Sequence, residues 1–484
     1  MLQLIPAAAL AQTFARASPR LNPRRAGWPS RAIRAAVVAA FVLLVVQAFL
    51  RQGVLVWSIG VTYILYDTAL LIFTAIKVRR LDQAALPMVA GVRPTLAVIV
   101  AARNEAAVID VTIDRLAAQD EAPDLILIAD DGSDDATPGA LARYGLVPPM
   151  LGDMSDPAPG LPALRWLRLA HGGKARALNA AILHVTQDVV ITVDADTLLD
   201  PGAIAAMRAA FAAEPELVAA TGVIRPICGP SLQGRVFQWF QTYEYVRNFL
   251  SRYAWMEENS LLLISGAFAA FRRRAVVEVG GFDPDCMVED YELIHRLYRH
   301  AADTGQNWRV RVVGNAIAAT DAPATLPSFL RQRRRWFGGF LQTQHWNRDM
   351  VGNMRYGKLG LEMLPVKAAD TMQPVFGLAA FAILIVVLAT GRFRIVVPIL
   401  AIMVAKVAID LTFHLWSLRL YARWTGQRRG PGWGPAMAAA LIEPFSFQLF
   451  RHWGAILGWK AFLTGRETWA RQNRTAIAEV KRSE

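Results

Sequence analysis

Four long apolar runs, at residues 35–50, 54–76, 375–390 and 395–418, bracket a middle of mixed polarity. Each comes close to the roughly 17 to 25 residues that carry a helix across a hydrocarbon core. The stretch from about Arg79 to Gln344 instead carries short β-like runs and turn signals, the pattern of an α/β globular domain. The expected order is a loose basic tail over 1–34, two transmembrane helices within 35–76 and a globular domain over 80–345. A C-terminal transmembrane region over 372–463 and a charged tail over 464–484 complete it. With 484 residues, 54% of them hydrophobic and 19% charged, the chain is long enough for one sizeable domain beside several spans.

A net charge of +13 raises nucleic acid as a partner, but the basic residues crowd beside the apolar runs. Arg20, Arg24, Arg25, Arg31 and Arg34 precede the first, and Lys77, Arg79 and Arg80 follow the second. The positive-inside rule accounts for that placement, with the N-terminus and the globular insert on the cytoplasmic side. Membrane lipids, not nucleic acid, are the expected neighbours. Cys228 and Cys286 lie far apart, which supports neither a disulfide framework nor a zinc site. Residues 1–12 are apolar enough to imitate a signal peptide but lack a basic start.

Within the insert, apolar runs end in acids. Residues 95–102 (TLAVIVAA) lead into Arg103-Asn104-Glu105, and 125–129 (LILIA) run into Asp130-Asp131-Gly132-Ser133-Asp134-Asp135. Residues 188–193 lead into Asp194-Ala195-Asp196. Strands alternating with helices imply a largely parallel sheet whose ligand sits at the carboxyl ends of the strands, where these acids fall. Asp130 and Asp131 there suit a nucleoside N–H or ribose hydroxyl, though the same residues also make a turn with a helix cap. Asp194 and Asp196 suit one divalent cation, Mg2+ or Mn2+, shared with substrate phosphates. An isolated D-x-D is more often a solvated turn.

Three further segments carry chemistry. His171-Gly172-Gly173-Lys174 puts a flexible turn and a cation at a helix start, where anionic phosphate is also favoured; a solvated lysine fits equally well. Residues 261–264 and 267–271 read as strand, turn and strand, and Val288-Glu289-Asp290 then opens an amphipathic helix that an acid pair also caps well. Gln332-Arg333-Arg334-Arg335-Trp336 lies on a helix over about 326–344, where arginine suits phosphate and tryptophan a sugar face; anchoring in headgroups is the alternative. The aromatic-rich segment at about 235–257 reads as interfacial, with no catalytic role.

In order, Asp-Asp-Gly-Ser-Asp at 130–134, Gly-Lys-Ala-Arg-Ala-Leu-Asn at 173–179, Asp-Ala-Asp at 194–196, Glu-Asp at 289–290 and Gln-Arg-Arg-Arg-Trp at 332–336 resemble the motifs of the family-2 inverting glycosyltransferases of the cellulose, hyaluronan, chitin and poly-N-acetylglucosamine synthase group. The resemblance covers about residues 95–345, and the flanking spans by general layout. It implies a GT-A-type α/β domain with a mostly parallel sheet, inserted between transmembrane helices in a bacterial inner membrane. It also implies a nucleoside-diphosphate sugar, UDP-linked, as donor and a growing polysaccharide as acceptor, with room for an accessory export subunit. Asp131, with Asp130 beside it, would hold the nucleoside, Asp196 with Asp194 the metal and diphosphate, and Lys174 would touch the nucleotide. Gln332 and Arg335 would embrace the pyrophosphate, Asp290 would be the general base, and Trp336 would stack beneath the acceptor's terminal sugar. One departure stands out: many relatives have Thr-Glu-Asp where this chain has Val288-Glu289-Asp290. Ceramide glucosyltransferases share the Arg-Trp pair, so a single transfer to a lipid acceptor is the rival reading. A non-catalytic membrane scaffold is the rival of another class, and the presence of every candidate acid and base argues against it.

In the last apolar run Lys406, Asp410 and His414 recur every four residues and share one helix face. They are expected to pair with one another and with Asp67, or to line a polar conduit. Glu443, Pro444, Arg451 and His452 interrupt residues 435–462, which leaves a span, a broken helix and an interfacial pair open.

Overall fold

Among the described residues β-branched and aliphatic runs bounded by helical segments give eight strands: β1 (Leu96–Ala102), β2 (Leu125–Asp131), β3 (Leu164–Leu169), β4 (Val189–Asp194), β5 (Thr197–Leu199), β6 (Leu217–Ile227), β7 (Phe268–Arg272) and β8 (Arg309–Asp321). The computed structural model describes residues 6–79, 81, 93–391, 393–426, 432–465 and 477. The strands form one sheet in the order β3-β2-β1-β4-β7-β6-β8-β5. β3, β2, β1 and β4 run parallel, β7 is antiparallel to both neighbours, and β6 and β8 are again parallel. Val98, Ile99, Val100, Leu127 and Ile128 are fully buried, as continuous apolar strands are when helices cover both faces.

The helices, in chain order, are α1 (Ala7–Ala17), α2 (Trp28–Leu50), α3 (Ser58–Val78), α4 (Ile109–Ala117), α5 (Thr137–Ala142), α6 (Lys174–His184), α7 (Ala203–Ala213), α8 (Leu232–Glu257), α9 (Arg273–Glu278), α10 (Glu289–Thr304), α11 (Leu326–Trp346), α12 (Leu364–Asp370), α13 (Gln373–Ala389), α14 (Phe393–Trp424), α15 (Trp433–Ile442) and α16 (Phe447–Thr464). Among the described residues four helical segments, Trp28–Leu50, Gly53–Val78, Leu359–Ala389 and Arg394–Trp424, are long and apolar enough to cross a membrane. The first starts seven residues before the apolar run and carries Arg31 and Arg34 in its opening turns. Pairing inside the bundle follows the expected pattern: Lys406 meets Asp67 at 2.6 Å and also Asp410. His414 instead packs edge-on to Tyr243, ring centroids 5.0 Å apart. The open reading at residues 435–462 resolves as two helices broken at Glu443–Phe445. Glu443 accepts from Arg247 of α8 and meets Arg451 at 2.8 Å.

Two expectations change. Residues 261–264 form no strand; Leu261, Leu262 and Ile264 are buried in an irregular segment beside the sheet. Burial alone makes such a run apolar, and periodicity cannot separate it from a strand. The stretch expected to be a loose tail holds α1 and docks on the globular domain. Arg20 donates to both oxygens of Asp283, each at 3.0 Å, and meets Asp285 at 2.9 Å. Arg24 pairs with Asp303 at 2.5 Å. A Cβ on Gly280 would lie 2.2 Å from the Phe14 backbone, so only glycine admits α1 there. The tail's cations thus serve acids of the domain as well as flanking a span. The charged tail over 464–484 lies outside the described residues except for positions 464, 465 and 477.

Candidate active site

The carboxyl ends of β1, β2 and β4 open onto one cavity of about 1700 Å3. Two interlocked turns make its far wall. Asn104, just past β1, adopts a positive φ of 58°, and its amide exchanges hydrogen bonds with Asp134, donating at 2.5 Å and accepting at 2.9 Å. Asn tolerates this left-handed backbone better than most residues because its short amide bonds locally. Asp131 ends β2 and accepts from the N–H groups of Gly172 at 2.7 Å and Gly173 at 2.9 Å, and from His171 Nδ1 at 2.9 Å. Arg103 Nη1 sits 2.9 Å from His171 Nε2; an arginine can only donate, so Nε2 accepts and Nδ1 carries the hydrogen. Asp131 thereby holds the turn that starts α6 while lining the cavity.

Asp130 does not reach the cavity. Its carboxylate accepts from Ser133 N at 2.9 Å and Trp166 Nε1 at 3.3 Å and is 2% exposed. Successive strand residues face opposite ways, which sends one of two adjacent aspartates inward. Of the two, only Asp131 is placed to meet a nucleotide.

The turn after β4 brings Asp194 and Asp196 into the cavity with Asp321 from the end of β8. Burial raises the Asp196 carboxyl above its usual range, and the charges of Asp194 and Asp321 add to the effect. Acids crowded this way are relieved by a cation. Among the described residues no group of three or more His, Cys, Asp or Glu side chains is arranged to hold a metal ion unaided. The carboxylate oxygens of Asp194 and Asp196 are the donor type that a hard divalent cation shares with diphosphate oxygens and water.

Lys174 is not a solvated lysine. Its ammonium lies 2.6 Å from Asp194 and 3.3 Å from Glu289, tying the D-x-D turn to the start of α10. Burial works to lower its pKa, but Asp194 and Glu289 outweigh burial and hold it above the usual lysine range. Asp290 accepts from Gly266 N at 2.7 Å and Tyr291 N at 2.8 Å. Burial, followed by the neighbouring Glu289 charge, lifts its pKa from 3.8 to about 6, against the pull of Lys174. A carboxylate of that strength suits a general base near neutral pH.

Helix α11 closes the cavity. Gln332 is buried and its Oε1 has no hydrogen-bond partner; Gln332, Arg335 and Trp336 all line the space. Arg333 reaches away to Glu244 of α8 at 2.7 and 2.8 Å and covers Trp336 at 4.7 Å from the ring centroid. The loop that carries the base rests on this helix. A Cβ on Gly339 would meet Val288 Cγ2 at 2.5 Å, and one on Gly338 would meet Met287 Cε at 3.0 Å. Val288, at the position of the family's threonine, is thus a packing contact between the base loop and α11.

Eight of the nine expected residues share the cavity: Asp131, Lys174, Asp194, Asp196, Asp290, Gln332, Arg335 and Trp336. Asn104, Asp321, Glu289 and Arg252 join them without having been assigned a role from sequence. Asn104 falls just past the expected first strand, whereas Asp321 ends β8, a strand the sequence reading did not reach. Nothing in the sequence singled out Arg252, whose helix reads as interfacial.

Two family models match the chain: glycosyl transferase family 2 over residues 97–280, and glycosyl transferase family group 2 over residues 189–405. The fold is of the GT-A type, and over these residues the chain is similar to glycosyltransferase family 2. Over 172 residues it is 33% identical to the poly-beta-1,6-N-acetyl-D-glucosamine synthase of Staphylococcus aureus, covering 34% of this chain and 38% of that protein. Over 194 residues it is 30% identical to the Staphylococcus epidermidis enzyme of the same name, covering 40% and 44%. The chain thus spans less than half the length of these relatives. A mannosyltransferase from Pyrobaculum calidifontis, solved with GDP-Man and Mn2+, has a similar fold at TM-score 0.53 and 22% identity, over 81% of this chain and 99% of that one.

Proposed function

We propose that this chain transfers a hexose or N-acetylhexosamine from a UDP-linked donor to the end of a growing polysaccharide, at the cytoplasmic face of a membrane and with inversion at the anomeric carbon. The observation that carries this reading is the continuity of the cavity, which extends from Asn104 and Asp131 past Asp290 to Asp67, Asp410 and Arg451 on the membrane-side helices. The matched relatives named as polysaccharide synthases support a polymer over a single transfer to lipid.

Asp131 and the turn it holds would bind the nucleoside. Asp194 and Asp196 would hold a divalent cation, Mg2+ or Mn2+, which when bound supplies positive charge to the diphosphate. Gln332 and Arg335 would grip the same diphosphate and stabilise the charge that grows as it leaves. Trp336 would seat the acceptor's terminal ring, with its hydroxyl towards Asp290. Asp290 takes the hydroxyl proton, the acceptor oxygen bonds to the anomeric carbon, and the bond from that carbon to the phosphate oxygen breaks with its electron pair leaving on the nucleoside diphosphate. Glu289, the acid beside the base, is engaged by Lys174, and inversion is what the family resemblance implies.

The test is to incubate the purified full chain with a panel of radiolabelled nucleotide sugars and Mg2+ or Mn2+, then size the product. A ladder or high polymer supports the reading. Addition of one sugar only, to extracted lipid, overturns the polymer; no transfer from any donor overturns the reaction.

A further inference from the structure

Along α8, Tyr245, Asn248 and Arg252 fall at helical spacing i, i+3 and i+7 and all line the catalytic cavity, so one helix face presents a hydroxyl, an amide and a guanidinium to the same space. Four neighbouring cations are neutralised within the protein. Arg247 pairs with Glu443, Arg333 with Glu244 at 2.7 Å, Lys367 with Asp370 at 2.7 Å, and Lys174 with Asp194 and Glu289. Arg252 differs. Its Nε and Nη1 are buried with no hydrogen-bond partner, and the Phe249 ring lies 4.5 Å from the guanidinium carbon. Asp290 is near enough to act on it electrostatically, which sets it on the base's side of the cavity.

Guanidinium nitrogens buried without a directly bonded counter-ion are costly, and burial pulls Arg252 down to about 10 against the opposing influence of Tyr245 and Asp290. Such a group becomes favourable once an anion arrives, because charge-assisted N–H···O− bonds are about twice as strong as neutral ones. The ligands expected for the diphosphate, Gln332 and Arg335, sit on α11, whereas Arg252 sits on α8. We propose that Arg252, with Tyr245 and Asn248 beside it, is a subsite for an anionic oxygen, phosphate or carboxylate, carried by the acceptor near its reacting end. This rests on the transferase reading above and narrows its acceptor to a sugar bearing an acidic group, either a sugar phosphate or a uronic acid.

Binding titrations on the purified full chain decide it, with N-acetylglucosamine, N-acetylglucosamine 1-phosphate and glucuronate as probes and UDP with Mn2+ as the donor-side control. The wild type is expected to bind one of the two anionic sugars at least tenfold more tightly than the neutral one, and which of them wins identifies the source of the anion. Arg252→Gln removes that preference, a loss of about 10- to 100-fold, while Arg252→Lys keeps most of it and UDP affinity moves less than about threefold. Equal affinity for neutral and anionic sugars in the wild type overturns the proposal. So does an anionic preference that survives in Arg252→Gln, or a fall in UDP affinity of the same size, which assigns the guanidinium to the donor. Melting temperatures of both variants confirm folding. These readouts need no turnover: anionic preference lost in Arg252→Gln, in a chain that transfers no sugar, upholds the subsite and defeats the reaction.

Discussion

Asp290→Asn separates the cost of building the base from its use. In the folded chain the Asp290 carboxyl sits at about 6 against an ordinary 3.8, with burial the leading cause and Glu289 next. The folded value is raised, so this group's contribution to stability is fully present below about pH 3.8 and is lost as pH rises through about 6. The shift of about two units corresponds to at most about 3 kcal/mol, at 1.36 kcal/mol per unit. Asparagine stays neutral and escapes that loss. It brings a pH-independent penalty instead, because Gly266 N and Tyr291 N donate to different carboxylate oxygens and an amide supplies only one acceptor, which costs about 1–3 kcal/mol. The variant should therefore be the less stable protein at pH 4.5 and match or exceed the wild type by pH 7.5, a relative swing of about 2 kcal/mol over that range. At roughly 2 °C per kcal/mol for a domain of this size, the melting-temperature difference moves by about 4 °C. Thermal unfolding of both proteins in detergent at pH 4.5, 6 and 7.5 measures it. Parallel curves for wild type and variant would refute the argument. Transfer should vanish in the variant, and wild-type turnover should climb with pH through an apparent pKa near 6.

The contact between Val288 and Gly339 predicts that Gly339→Ala displaces the base loop and slows transfer about tenfold or more, since small misplacements of a reacting group are expensive. Adding Val288→Ala should restore much of the rate, as assayed by initial velocities at saturating donor. Arg20→Met should strip the counter-charge from Asp283, whose side chain is fully buried, and lower stability by about 3 kcal/mol. Arg20→Met with Asp283→Asn should melt closer to wild type than the single variant. Chelation with EDTA should abolish UDP binding and transfer, and Mg2+ or Mn2+ should restore both, because Asp194 and Asp196 alone do not complete a metal's shell.

Much of the site was readable in the sequence because a parallel sheet collects its ligands at strand ends, and the acids after residues 129 and 193 mark those ends directly. Asp130 faces away from the cavity, as the strand's period of two allows: its side chain and that of Asp131 point to opposite faces of the sheet. Other features had no local signal. Residues 261–264 are as apolar as a strand because they are buried, not because they pair. Arg252 looks like any interfacial arginine until the helices that neutralise its neighbours are in place. The docking of α1 depends on contacts between residues more than 250 positions apart, which no spacing rule reaches.

The valine that breaks the family pattern gains its meaning from that tertiary level. The base loop is gripped from two directions: Arg20 holds Asp283 and Asp285 on one side, and Gln342 accepts from Met287 N at 3.2 Å on the other. Between these fixed points Val288 seats against Gly339, where a side chain in place of the glycine has no room. A threonine there would set a hydroxyl against the Gly339 surface, whereas a valine fills the contact with methyl groups alone. Helix α11 also presents Gln332, Arg335 and Trp336 to the cavity. The same packing contact therefore fixes the base relative to the residues assigned to the leaving group and the acceptor ring. On that argument position 288 acts through geometry, and the reaction needs its shape more than a hydroxyl.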